Sequence, residues 1–256
     1  MSQLLAMRRM HLWALSLFAV VLALPFTASA QDIEALDPPA RATESPIWGN
    51  FELRLGSYRP DIDKEFGGQG VYADTFGGGK ILAELALSGY VYDGFGQVGV
   101  GGALGFWNKK AKATDTSGEE TADVTRLMII PARAEVYYRF DYLEERFNVP
   151  LVLRVGLGLD YYFWNVYASG KVADAPSGDK LLAGRGGTWG WHYEVALYFL
   201  LDSLAPRMAA AFDSTAGVNN SYVFISFTGT HVSDFGSDSS WNLSDNMLRF
   251  GIAFEF

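Results

Sequence analysis

From Trp48 to Phe256 the chain places apolar side chains at every second position in eight separate runs, and a period of two restricts those runs to strands. Phe51, Leu53 and Leu55 alternate with Glu52, Arg54 and Gly56, and Ile81, Ala83, Leu85, Leu87 and Val91 with Leu82, Glu84, Ala86, Ser88 and Tyr90. The third and fourth runs set Val98, Val100, Leu104 and Phe106 against glycines and Trp107, and Met128 to Phe140 against Arg133, Glu135, Tyr137 and Arg139. Leu151 to Phe163 alternates with Arg154, Gly156, Gly158, Asp160 and Tyr162, and Trp191 to Leu197 with His192, Glu194, Ala196 and Tyr198. Val223, Ile225 and Phe227 form the seventh row, and Leu248, Phe250, Ile252, Phe254 and Phe256 the eighth.

Two architectures bury one face of such strands. In a soluble barrel or sandwich the apolar face points inward and the polar face meets water. In a membrane barrel the apolar face meets lipid, and a strand of about 9 to 11 residues suffices to cross. Here the second face is built from Gly, Ala and Ser with scattered charges and Tyr, which suits a crowded interior and not a wet surface. The expected fold is therefore all-β, a closed eight-stranded antiparallel transmembrane β-barrel. The connections support it. Residues 59–79, 108–122, 168–187 and 231–245 read as long hydrophilic loops, whereas 92–95 and 141–149 are short, the outer-membrane arrangement of external loops and periplasmic turns. Segment 202–220 breaks the pattern on the short-turn side; Pro206 to Phe212 reads as a short helix there, with no purpose evident from the pattern. Aromatic residues gather near strand ends as girdles, Tyr161, Phe163, Trp164, Trp189 and Trp191 above, Tyr138, Phe140, Phe254 and Phe256 below.

Residues 1–30 have the three-part layout of a secretory signal: Arg8 and Arg9, an apolar run from Leu12 to Phe26, and Ala28-Ser29-Ala30 at the cleavage position. Their removal takes the net charge from -9 to -11. Residues 31–47, with Pro38, Pro39 and Pro46, form an extended periplasmic leader, and 48–256 the barrel. An excess of acidic over basic residues, 29 to 20, argues against nucleic acid as a partner. The absence of cysteine excludes thiolate metal sites and cysteine nucleophiles. No metal or other cofactor is expected.

The last strand, ending on Phe256 with apolar residues at alternate positions back to Leu248, resembles the C-terminal insertion signal of bacterial outer-membrane barrels. The resemblance implies that Leu248, Phe250, Ile252, Phe254 and Phe256 are read by the barrel assembly machinery, and an architecture of the OmpA/OmpX type. The mature chain also resembles a family of small outer-membrane barrels from myxobacteria and their relatives. Gly56 to Asp63, Ala205-Pro206-Arg207, Thr215 to Asn219, Asp234-Phe235-Gly236 and Leu243-Ser244-Asp245 carry that likeness. It implies a fold and a location, with no activity to carry over.

The inward-facing residues Glu52, Arg54, Glu84, Arg133, Glu135, Arg139, Arg154, Asp160, Glu194 and Arg249 are of both signs in near balance. An eight-stranded lumen is just wide enough for side chains to fill, so these residues, with His192 next to Glu194 on the same face, are expected to pair and plug it. The contrary expectation is a narrow ion channel. His231 and Ser233, two apart on the lipid side near the outer rim, match the placement of a base and nucleophile and resemble the lipid A deacylase barrels; no carboxylate shares their face, and a polar rim is the expected reading. Gly94 to Gly99 spells a dinucleotide fingerprint, but a strand follows it in place of a helix. Asp61 to Glu65 lacks EF-hand spacing and reads as a solvated acidic loop. The expected function is a non-enzymatic surface scaffold in the outer membrane of a Gram-negative cell. Its expected partners are membrane lipid and lipopolysaccharide, together with a loop ligand the sequence does not specify.

Overall fold

The computed structural model describes residues 47–64, 70–114, 120–168, 171–172, 174–177, 180–237 and 240–256. The expected signal peptide and, apart from Ile47, the leader lie outside the described residues. Eight antiparallel strands form one wall: β1 (Gly49–Tyr58), β2 (Lys80–Gly94), β3 (Gly96–Thr114), β4 (Glu120–Phe140), β5 (Leu151–Ala168), β6 (Arg185–Leu200), β7 (Asn220–Val232) and β8 (Asp245–Glu255). Each pairs with its neighbours in sequence, and β1 pairs with β8, opposing Leu53 to Ile252 and Arg54 to Gly251. Closure gives every strand of the wall a partner on both sides. Trp48 N–H and Gly49 N–H both donate to the Phe256 carbonyl, which fastens the two chain ends of the barrel together.

Parity then sorts the side chains. Leu85, Leu87, Val100, Leu104, Phe106, Val136, Leu157, Leu159, Val195, Phe227, Leu248 and Phe250 all point outward and are each at least 43% exposed. A contiguous apolar surface of this extent is untenable in water. Among the described residues no helix is long and apolar enough to cross a membrane, so the crossing falls to the strands, the one alternative that leaves no backbone group unpaired in hydrocarbon. Aromatic contacts mark both margins of the belt. On the long-loop side Tyr161 packs against Phe163 and Trp189, and on the short-turn side Phe95, Phe140 and Tyr142 form one cluster. Trp164 departs from the expected girdle. Its parity is inward, and its ring stacks on Trp241 with centroids 4.2 Å apart.

The wall is uneven in height. β3 and β4 have 19 and 21 residues, β1 and β8 only 10 and 11. Much of residues 108–122, expected as loop, is strand: β3 runs on to Thr114 and β4 starts at Glu120. The reason is physical. Above the hydrocarbon both faces of a strand meet water, so Asn108 to Thr114 carries no apolar row to betray it. The loop after β5 likewise holds short strand segments at Lys171–Val172, Asp174–Ser177 and Lys180–Ala183. Among the described residues three short α-helices lie in connections, α1 (Val71–Phe76) after β1, α2 (Tyr142–Phe147) after β4 and α3 (Pro206–Ala216) after β6, and a 3-10 turn at Ile62–Lys64 precedes α1. α3 opens with proline in its first turn and stops at Gly217, whose φ of 67° is left-handed. It runs four residues beyond the expected end at Phe212.

Glycine permits the close contacts inside and outside. Tyr137 lies across Gly99, its direct partner on β3, and Tyr193 across Gly229 on β7; a Cβ at either glycine would overlap the ring. If the outward face meets hydrocarbon, Leu157→Arg costs about 2 to 4 kcal/mol near mid-membrane. Urea unfolding from phospholipid vesicles measures it, and a loss no larger than that of Leu157→Ala would contradict the assignment.

Candidate functional site

The charged side chains that parity sends inward are nearly all buried, and they meet in three tiers. In the tier nearest the short turns, Arg139 on β4 pairs with Glu255 on β8 and donates to the hydroxyls of Tyr222 (2.6 Å) and Tyr90 (2.8 Å). Its guanidinium also lies 4.9 Å from the Tyr222 ring centre, a cation–π contact. Asn220 Nδ2 and the Tyr222 hydroxyl donate to Glu255 Oε2 at 2.8 and 3.1 Å.

The middle tier is the densest. Arg54 donates its Nε to Glu52 (2.7 Å) and its two terminal nitrogens to both oxygens of Glu135 (3.1 and 2.7 Å), a fork that fixes both carboxylates. Arg154 bridges the same two carboxylates from β5 and lies 3.8 Å from the Tyr137 ring centre. The Tyr198 hydroxyl and Asn50 Nδ2 each donate to Glu52 at 3.0 Å. Above this, Arg249 joins Glu84 to Glu194 and donates to Thr228. Arg133 approaches Glu84 with its Nε at 3.0 Å and donates to the Tyr162 hydroxyl at 2.6 Å. His192 faces two carboxylates, Nδ1 at 2.7 Å from Asp160 and Nε2 at 3.7 Å from Glu135.

Glu52, Arg54, Glu84, Arg133, Glu135, Arg154, Asp160, His192, Glu194 and Arg249 are thus brought into one chain of contacts, and Arg139 pairs separately with Glu255 in the lower tier. Two points differ from the sequence reading. His192 engages Asp160 and Glu135, not its strand neighbour Glu194. Glu255 belongs to the lower tier and was overlooked, although its parity with Arg249 was visible. With Glu255 counted, six carboxylates face five guanidiniums within the wall, and the imidazole sits between two of those carboxylates. Charges held in so dry a place survive only when paired, since desolvation of each outweighs any surface-type attraction.

Toward the long loops the interior changes character. Tyr58, Leu82, Trp107, Leu127, Ile129, Tyr162, Val232, Leu243 and Met247 form a buried apolar cluster, with Ile62 and Tyr72 from the first loop. Large inward residues at the outer ends of strands were the sequence signal for this cap. The first and last loops close over it: the Tyr58 hydroxyl donates to the Leu243 carbonyl (2.7 Å), Asp61 N–H to the Ser244 carbonyl (3.2 Å) and Arg59 N–H to Asp245 (2.7 Å). Asp63 is engaged by the start of α1, accepting from the N–H groups of Tyr72 and Ala73. Burial pushes the Tyr72 phenol well above its usual range. In the turn after β4, burial likewise raises the Asp141 carboxyl against the pull of Arg139.

His231 and Ser233 stand at the outer rim, where the wall is lowest. The His231 ring stacks on Trp191 at 4.5 Å between centroids and borders a cavity of about 480 Å³ shared with Arg59, Asp61, Lys64 and Asp245. Ser233 lies in the turn beyond β7, where its Oγ accepts from Gly236 N–H at 3.2 Å. The Asp234 carboxylate accepts from Trp189 N–H at 2.7 Å and from the Ser240 hydroxyl.

No family model matches the chain, and no curated protein matches it. Solved structures of similar shape include Neisserial surface protein A, 9% identical, with a TM-score of 0.44 over 82% of this chain and 97% of that one. They also include the attachment invasion locus protein Ail of Yersinia pestis (11% identity, TM-score 0.39, 82% and 97% covered). A third is the outer membrane protein OprG from Pseudomonas aeruginosa (12% identity, TM-score 0.38, 82% and 94% covered). The membrane assignment rests on the chain itself. An up-and-down barrel with an apolar outer belt is an integral protein of the outer membrane of a Gram-negative cell, its long loops external and its short turns periplasmic.

The lower tier offers a clean energetic test, because few groups share it. Arg139→Met leaves Glu255 buried without its cation and costs about 3 to 5 kcal/mol. Adding Glu255→Leu restores part of that loss. A double variant as unstable as the sum of the two single ones, by unfolding in vesicles, would show that the two side chains do not interact.

Proposed function

We propose that the protein is a structural and surface-interaction scaffold whose rigid, plugged barrel holds its external loops at the cell surface. The observation that carries this reading is the filling of the lumen, paired charges through the middle and an apolar cap beneath the loops. Wide aqueous channels belong to barrels of about 16 strands or more, and eight strands leave room for side chains only. Within such barrels we place the chain with the myxobacterial family that its loop segments resemble. Its partners in this reading are lipid and lipopolysaccharide around the belt and the barrel assembly machinery, which reads the row from Leu248 to Phe256. A further partner docks on the loops.

The reading is of a protein without enzymatic activity. A base and nucleophile need to share a proton, and here the His231 ring is stacked on Trp191 while Ser233 Oγ accepts from its own turn. The lipid-modifying and channel alternatives each have a decisive readout. Purified protein in planar bilayers gives no reproducible single-channel steps; discrete steps that scale with salt would replace the scaffold by a channel. Mass spectrometry of outer-membrane lipids gives identical acyl profiles for cells with the native chain, with His231→Ala and with neither. An acyl chain lost or gained only with intact His231 would make the rim an active site.

A further inference from the structure

α3 stands out because it is a helix on the periplasmic side with no buried residue. Met208 and Phe212, four residues apart, lie on one side of α3 and are 62% and 41% exposed, and Leu204, in the turn that leads into the helix, is 66% exposed. At about 100° per residue, Ser214 lies roughly 160° around the helix from Phe212, and Arg207 lies on that same polar side. The helix is therefore two-faced, yet its apolar side is turned away from the barrel interior. What that side meets is indicated by Phe212, whose ring packs edge-on against Phe254 at 6.2 Å between centroids. Phe254 belongs to the lipid-facing row of β8 that runs back through Ile252, Phe250 and Leu248. The apolar face of α3 thus continues the hydrocarbon-facing belt of the wall and lies beside its periplasmic margin.

We propose that α3 is an interfacial helix seated in the periplasmic leaflet, with Leu204, Met208 and Phe212 among the lipid acyl chains and Arg207 and Ser214 toward headgroups and water. Exposed rows of this kind are stabilised by lying about 5 to 10 Å deep at the headgroup boundary. The occupant is lipid because the row adjoins a surface that already meets lipid. Tyr142, Leu143 and Phe147 of α2 are exposed at the same end, and Tyr142 touches Phe95, Phe140 and Phe147, so α3 is not the sole apolar feature at the periplasmic rim. The long connection between β6 and β7, too large for a turn, then has a purpose: it widens the footprint of a narrow barrel in the inner half of the bilayer.

The inference rests on the membrane reading of the barrel, and the test separates the two. The chain contains no cysteine, so single-cysteine variants take a spin label at one place only. Met208→Cys, Ser214→Cys and Leu157→Cys are labelled in the full mature protein, folded into phosphatidylethanolamine–phosphatidylglycerol vesicles. Collision with oxygen, which partitions into lipid, is compared with collision with a water-soluble nickel chelate. The expected result is a high oxygen-to-nickel ratio at position 157, an intermediate ratio at 208 and a low, water-like ratio at 214. A high ratio at 157 with equal, water-like ratios at 208 and 214 would overturn the helix proposal and leave the barrel standing. A water-like ratio at 157 would overturn the membrane reading itself. A label at 208 shielded from both reagents would show that protein, not lipid, covers the row, and would also overturn the proposal.

Discussion

Everything in this molecule depends on a wall that has hydrocarbon on one side and buried charge on the other. Once β1 pairs with β8, every strand of the wall has a partner on both sides and alternate side chains are forced to opposite sides. The outward set must then be apolar, and the inward set must fill a space a few side chains wide. Arginine suits that space because its fork serves two carboxylates at once while its flat face lies on a tyrosine ring, as Arg154 does over Tyr137. Desolvation makes such a network a poor source of net stability but a strict filter on register. A one-residue slip of β1, β4 or β5 would turn charge into lipid and leave its partners orphaned.

That same strictness explains why so much was legible in the sequence. Period two located all eight strands, and parity alone placed Glu52, Arg54, Arg133, Glu135, Arg154 and Arg249 inside. Where the hydrocarbon ends, the signal ends. Asn108 to Thr114 is strand without an apolar row, α2 is too short to show a helical period, and Trp164 looked like a girdle residue because its inward parity was outweighed by its aromatic neighbours. Which charge meets which depends on the circular order of the strands and on side-chain length. Hence His192 was placed beside Glu194, one pleat away along its own strand, whereas across the wall it reaches Asp160 and Glu135. Glu255 was missed because the terminal strand was read for its apolar row.

The two ends of the barrel are built differently, and the difference bears on function. Outside, the apolar cap and the docked first and last loops make a firm platform over the low side of the wall, while β3 and β4 rise well beyond what a membrane crossing requires. On the periplasmic side α2 and α3 carry exposed apolar residues, while β2 and β3 are joined by a tight turn through Phe95. In the scaffold reading proposed above, a barrel so plugged and so capped transmits little through its axis.

This chain needs a bilayer to fold, because its largest apolar surface is on the outside. The most direct test is to dilute the urea-unfolded mature protein into buffer with and without phosphatidylcholine vesicles and compare unboiled with boiled samples on a denaturing gel. A compact band that shifts on boiling should form only in the presence of vesicles. The same compact band in lipid-free buffer would mean that the apolar face is turned inward and that the membrane barrel is the wrong structure for this sequence.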